Sequence, residues 1–170
     1  MKQLYLLAIL LSSSVYSQFN SKGLDVTKFD IETYIYTKDS TANALIIYET
    51  GNSYIDKNTF KLVTEVKRKL KILNRNGFDK TTITIPLYKN DKNSEKISEI
   101  RATTYNLENN DITKTQLERK DIFEENYNDR YTLSKFTFPN IKEGSVITYS
   151  YTIESPFIYK YKGWEFQDNI

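Results

Sequence analysis

The sequence predicts a mainly β domain, an antiparallel β-sandwich with one or two short helices, and three observations carry that reading. From Ala42 onward, runs rich in Val, Ile, Thr, Tyr and Phe are separated by polar turn residues at the spacing of a sandwich or barrel. Within residues 145 to 154, Ile147, Tyr149, Tyr151 and Ile153 alternate with Val146, Thr148, Ser150 and Thr152, the period-2 signature of a strand. The chain has no Cys but 14 Tyr and 9 Phe. Its stability must come from burying aromatic and aliphatic side chains, without disulfides.

Residues 1 to 17 have the layout of a secretory signal peptide: Lys2 is a positive start, Leu4 to Leu11 an apolar run, and Ser12 to Ser17 a small, polar close. The apolar run is far short of the ~20 residues that span a bilayer. Cleavage after Ser17 is expected, with no membrane span left, and the absence of Cys removes lipid attachment through a cysteine. The mature chain, residues 18 to 170, is then about 150 residues, the size of one domain with its own core. Export to the periplasm or beyond is the expected destination.

Residues 18 to 41 are mixed, and Asp25 to Tyr36 fits one or two amphipathic helical turns or an irregular lead-in. Ala44 to Glu49 reads as a strand closed by Gly51 and Asn52. From Phe60 to Leu73 the even positions are mainly apolar and the odd positions Lys61, Glu65, Lys67, Lys69 and Lys71 are charged. A helix could also use Leu62, Val66, Leu70 and Leu73, so the period alone is ambiguous. Asn76-Gly77, a strong hairpin signal, followed by the β-branched run Thr81 to Ile85, favours a long hairpin over residues 60 to 86. Pro86 lacks an N–H and marks a strand end or an edge.

Lys89 to Lys96 reads as a loop. Ile97 to Leu107 and Ile112 to Leu117 flank the turn Glu108-Asn109-Asn110-Asp111. The charged run Glu118 to Arg130 suits a short helix or an exposed loop. Tyr131 to Phe138 is a strand stopped by Pro139-Asn140, and Glu143-Gly144 leads into the strand from Ser145 to Glu154. No internal repeat interrupts the pattern.

The absence of His and Cys removes histidine bases, thiol nucleophiles, catalytic triads and zinc sites of thiolate or imidazole. A formal charge of +2 gives no general drive toward nucleic acid, and five scattered glycines form no phosphate loop. No cofactor or metal is expected. Asp91, Asn93 and Glu95 alternate like calcium ligands, but Lys96 and Ala102 occupy the places where such a loop needs Gly and Glu. The odd-position lysines of 61 to 71 read as a solvent face whose charges discourage edge pairing. Glu124 and Glu125 are adjacent, so on a strand they would point apart, unlike the facing carboxyls of a glycosidase. No catalytic residue is assigned. Tyr159, Tyr161, Trp164, Phe166 and Gln167 form an aromatic-rich segment suited to an interdomain or ligand contact, although aromatics at such positions also build cores.

Four blocks carry a resemblance: Asp39 to Glu49, Leu70 to Gly77, Lys135 to Asn140 with Gly144 to Ile147, and Trp164 to Gln167. Together, over about residues 38 to 170, they resemble an exported bacterial domain of unassigned function that precedes transglutaminase-like (papain-type) domains in Gram-negative envelope proteins. The resemblance implies a β-sandwich and a non-catalytic accessory role exercised through protein contacts with an adjoining C-terminal domain, and it transfers no catalytic residue. It also implies that the chain is the N-terminal part of a longer protein. The alternatives are a free-standing glycan- or peptide-binding module built on the same aromatics and, third, a carboxylate-based hydrolase. N-terminal sequencing of natively exported protein should begin at Gln18. Recovery of intact Met1 from the envelope fraction would contradict the export reading.

Overall fold

A computed structural model describes residues 22–32 and 36–163; the signal-peptide reading therefore lies outside the described residues. After a single helical turn, α1 (Lys28–Glu32), the strands are β1 (Ala44–Ile55), β2 (Leu62–Ile72), β3 (Thr82–Tyr88), β4 (Lys96–Glu108), β5 (Asp111–Gln116), β6 (Ile122–Asn128), β7 (Tyr131–Thr137) and β8 (Val146–Ser155). Among the described residues they form a five-stranded sheet in the order β1-β2-β8-β4-β5 and a three-stranded sheet in the order β3-β7-β6. All pairings are antiparallel. The core draws Leu70, Ile72, Ala102, Ile147, Tyr149 and Ile153 from the large sheet, and Ile85, Leu87 and Phe136 from the small one. This is the expected β-sandwich. Among the described residues no helix is long and apolar enough to cross a membrane.

β8 sits at the centre of the large sheet, between β2 and β4. Val146 to Ser150 are all buried, so both faces of this strand are covered. The inner face carries Ile147 and Tyr149, with Tyr149 packed edge-on against Phe136. Burial pushes the Tyr149 phenol up to about 12. The Glu49–Arg68 ion pair belongs to the same cross-strand row, since Glu49 pairs with Arg68 and Arg68 with Tyr149.

The outer face is covered by the segment before β1. Thr27 and Asp30 bond reciprocally, the Thr27 N–H donating to the Asp30 carboxylate at 2.8 Å and the Asp30 N–H to the Thr27 hydroxyl at 3.3 Å, which starts α1 as a capping box does. Ile31 is 2% exposed. The Lys69 ammonium donates to the Asp25 carbonyl at 2.9 Å and lies 3.4 Å from the Asp30 carboxylate. Lys71, fully buried, donates to the Ile31 carbonyl and, at 2.6 Å, to the Gly144 carbonyl. The solvent-face reading of the lysine row thus fails at Lys69 and Lys71. Residues some forty positions earlier in the chain cover them and supply backbone acceptors, which strand periodicity cannot register.

Three other expectations are corrected. Residues 60 to 86 are not one hairpin: β2 and β3 belong to different sheets, joined by a 3-10 helix, Arg75–Thr81. Gly77 is needed there for close approach, because a Cβ would fall 2.3 Å from the Asn43 carbonyl oxygen, which already accepts the Leu73 N–H at 2.9 Å. Gly51-Asn52 closes nothing, since β1 runs on to Ile55 opposite β2. The reversal lies at Asp56, whose carboxylate accepts the N–H groups of Asn58 and Thr59 at 3.1 and 2.7 Å. The run Glu118 to Arg130 does contain a short 3-10 turn, Arg119–Asp121, but most of it is β6, an exposed edge strand on which charge is tolerated.

Other readings hold. Asn109 and Asn110 both have positive φ, 51° and 66°, in the β4–β5 turn. Pro86 lies on β3, an edge strand, although the strand continues to Tyr88.

Burial pushes the Lys71 ammonium down to about 8, against the pull of Asp30. The folded state thus releases this proton before the unfolded chain does, so Lys71's contribution to stability rises with pH above about 8 and levels off near its ordinary value of 10.5. The neutral amine can still donate to both carbonyls. Wild type should therefore gain on the order of 1 to 3 kcal/mol relative to Lys71→Met between about pH 7 and pH 10, as read by urea unfolding. A constant or shrinking difference would show that the lysine carries no buried charge.

Candidate functional site

The chain leaves the sandwich at the end of β8. The Ser155 hydroxyl accepts the Phe157 N–H at 3.2 Å, and the Phe157 carbonyl accepts the Lys160 N–H at 2.9 Å, so the exit begins with two tight turns. Phe157 is 4% exposed and meets Tyr88 edge-on, centroids 4.9 Å apart. Tyr88 in turn stands edge-on to Tyr131 at 5.7 Å. The Lys160 ammonium lies over the Tyr88 ring, 3.1 Å from its centroid, a cation–π contact.

A second anchor lies two residues on. The Lys162 ammonium donates to the Glu95 carboxylate at 2.7 Å and to the Pro86 carbonyl at 3.0 Å. The Glu95 side chain is 1% exposed, and the same oxygen accepts the Tyr88 N–H at 2.8 Å. A carboxylate so buried requires its partners, because leaving a buried charge unpaired is strongly destabilising. The exit segment is thereby strapped along β3 near the start of β4.

The strap leaves apolar surface outside. Ile158, Tyr159 and Tyr161 are 51%, 78% and 60% exposed. Of the five residues expected at a contact, Tyr159 and Tyr161 share this exposed segment, whereas Trp164, Phe166 and Gln167 lie outside the described residues. Two neighbouring exposed tyrosines beside a cation-capped aromatic cluster make a surface suited to apolar and hydrogen-bonding contact. Sequence reasoning missed the anchors Glu95, Lys160 and Lys162. The alternation Lys160-Tyr161-Lys162 could have suggested a segment with one side held and the other free.

The remaining candidates are placed as follows. Asp91 and Asn93 lie in the β3–β4 loop, where the Asn90 side chain accepts the N–H groups of Lys92 and Asn93 at 3.0 and 2.8 Å. Glu95 is held by Lys162, and among the described residues no acidic cluster could hold a metal ion. On β6, Glu125 is paired with Lys135 while Glu124 borders a cleft between the sheets. Glu99, the other carboxylate at that cleft, is engaged by Arg101 at 2.5 Å.

The described molecule is thus an antiparallel β-sandwich module with a strapped, aromatic exit. The chain belongs to the family DUF3857, described as a domain of unknown function with a solved structure, whose model matches residues 59–169. No curated protein matches it. Its fold is similar to part of a crystal structure of a putative protease from Parabacteroides distasonis, with a TM-score of 0.53 at 11% identity, covering 66% of this chain and 23% of that one. The chain therefore spans less than a quarter of that protein's length, and at this identity the likeness concerns the fold alone.

Proposed function

We propose that this domain catalyses nothing itself and serves as an accessory module of an exported bacterial protein, docking through its exit segment against a transglutaminase-like (papain-type) domain that follows in the same polypeptide. The observation that carries the reading is the exit geometry: Phe157, Lys160 and Lys162 pin the segment while Tyr159 and Tyr161 face outward. A segment pinned in this way presents its tyrosines with little ordering entropy left to lose on docking. The lack of Cys and His, and the engagement of Glu99 and Glu125 by basic partners, support a non-catalytic role. That a similar fold occupies a fraction of a longer protein bearing the description protease fits the same arrangement.

Because Tyr159 and Tyr161 are exposed, Tyr159→Ser with Tyr161→Ser should change the stability of the domain alone by no more than about 0.5 kcal/mol. The same double variant should weaken binding of the separately produced following domain about 30-fold or more, the loss of an aromatic anchor worth ~2 kcal/mol. Calorimetric titration measures this. Unchanged affinity would reject the docking role, and binding of a glycan panel that the double variant abolishes would favour the free-standing module instead.

A further inference from the structure

Among the described residues, the exposed apolar side chains are gathered, not scattered. Nine large ones are exposed, and Tyr54, Ile55, Phe60, Tyr127, Ile158, Tyr159 and Tyr161 make seven of them. The strand registers bring these seven to one end of the sandwich. Ile55 pairs with Leu62 and Leu62 with Ser155, so the tip of the β1–β2 hairpin lies beside the point where the chain leaves β8. Tyr127 joins them through the β6–β7 turn, because Asn128 pairs with Tyr131 and Tyr131 with Tyr88, whose ring meets Phe157. Aromatic side chains of ~150 to 250 Å² each, exposed to this degree, together present several hundred Å² of apolar surface, the scale that marks an interaction site.

The hairpin tip holds one of these side chains out at a conformational cost. Residues 56–61 join β1 to β2; within them the Asp56 N–H donates to the Lys61 carbonyl at 2.9 Å and the Phe60 N–H to the Asp56 carbonyl at 2.8 Å. The Asp56 carboxylate also accepts the Thr59 hydroxyl at 2.8 Å. The loop closes on Phe60 with φ at 54°, in the left-handed region that Gly takes without strain and a bulky side chain rarely enters. Phe60 is 75% exposed, so packing within the domain does little to offset that strain. The tip is also fixed in place, since the Tyr54 hydroxyl donates to the Glu65 carboxylate at 3.1 Å and the Lys61 ammonium to Glu154 at 2.8 Å. An outward aromatic held where Gly would be at ease points to a contact outside the domain.

We infer that this end of the sandwich is one docking surface, in which Phe60 seats in an apolar pocket of the domain that follows in the same polypeptide. The inference rests on the accessory role proposed above and extends its contact from the exit segment to the β1–β2 hairpin. The path of the chain selects the occupant: it leaves β8 at this end, opposite Leu62, and a domain tethered there meets the tip at high effective concentration. A lipid surface fits less well. Lys61 is paired with Glu154, which leaves Asp56 and Lys57 to cancel, so the tip carries none of the positive excess that draws a protein to anionic lipid.

The test replaces Phe60, and separately Tyr159, with photoreactive p-benzoylphenylalanine in the whole polypeptide, the following domain included. Irradiation should join position 60 to the following domain of the same molecule. A cross-link from position 159 but not from 60 would overturn the inference and leave the exit reading standing. One from 60 alone would support it and remove Tyr159 from the contact, and none from either would overturn both. A cross-link between two molecules would overturn it too, by assigning the tip to a second copy of the chain. Phe60→Gly supplies an independent measurement. It should hold or raise the urea midpoint of the isolated domain, because Gly accepts the left-handed backbone. The same change should weaken binding of the separately produced following domain about tenfold or more, whereas Phe60→Tyr should not. A lowered midpoint would show that Phe60 serves the fold of its own domain, and unchanged affinity that it touches no partner; either would overturn the inference.

Discussion

The structure depends on β8 being buried on both faces without any disulfide to hold the layers over it. Val146 to Ser150 have no solvent-facing side, so the sandwich needs a cover on each. The small sheet supplies one through Ile85, Leu87 and Phe136. The described segment ahead of β1 supplies the other, with Leu24 and Ile31 buried. Lys69 and Lys71 complete it by donating to the Asp25, Ile31 and Gly144 carbonyls, groups at segment ends that no helix or strand ladder would satisfy. Burial alone would raise the Asp30 carboxyl, but the Thr27 N–H and hydroxyl and the Lys69 ammonium hold it below its ordinary value, so the lysines meet a negative charge as well as carbonyls.

Much of this architecture was legible where one local rule decides the outcome. β8 alternated cleanly, and Asn109-Asn110 made a reversal whose two central residues both take positive φ. The misreadings arose where one residue type serves two purposes. Gly77 looked like a turn glycine and is a contact glycine, which only the approach of Asn43 reveals. Glu124 and Glu125 looked like solvated loop charges and sit on an edge strand, where the backbone pairs on one side while the side chains stay wet. The odd-position lysines looked solvated because the layer that buries two of them arrives from a distant part of the chain.

The candidate site was partly legible for the same reason. Tyr159 and Tyr161 stood out as aromatics, and their exposure rules out the core reading for both. What holds the segment was not legible, because Glu95 and Lys162 meet across 67 positions and Lys160 finds its ring on β3.

The domain therefore presents a sandwich closed on both faces of its central strand, with its carboxylates dispersed and two exposed tyrosines, Tyr159 and Tyr161, at the exit. Contact with another domain through that exit is the role proposed for it. Hydrogen exchange at the Ile158 to Lys162 amides, compared in the isolated domain and with the following domain attached, tests it most directly. These amides should slow by about 100-fold or more on attachment, equivalent to ~2.7 kcal/mol of added protection. Equal exchange in both forms, with the tyrosines as exposed as before, would contradict it.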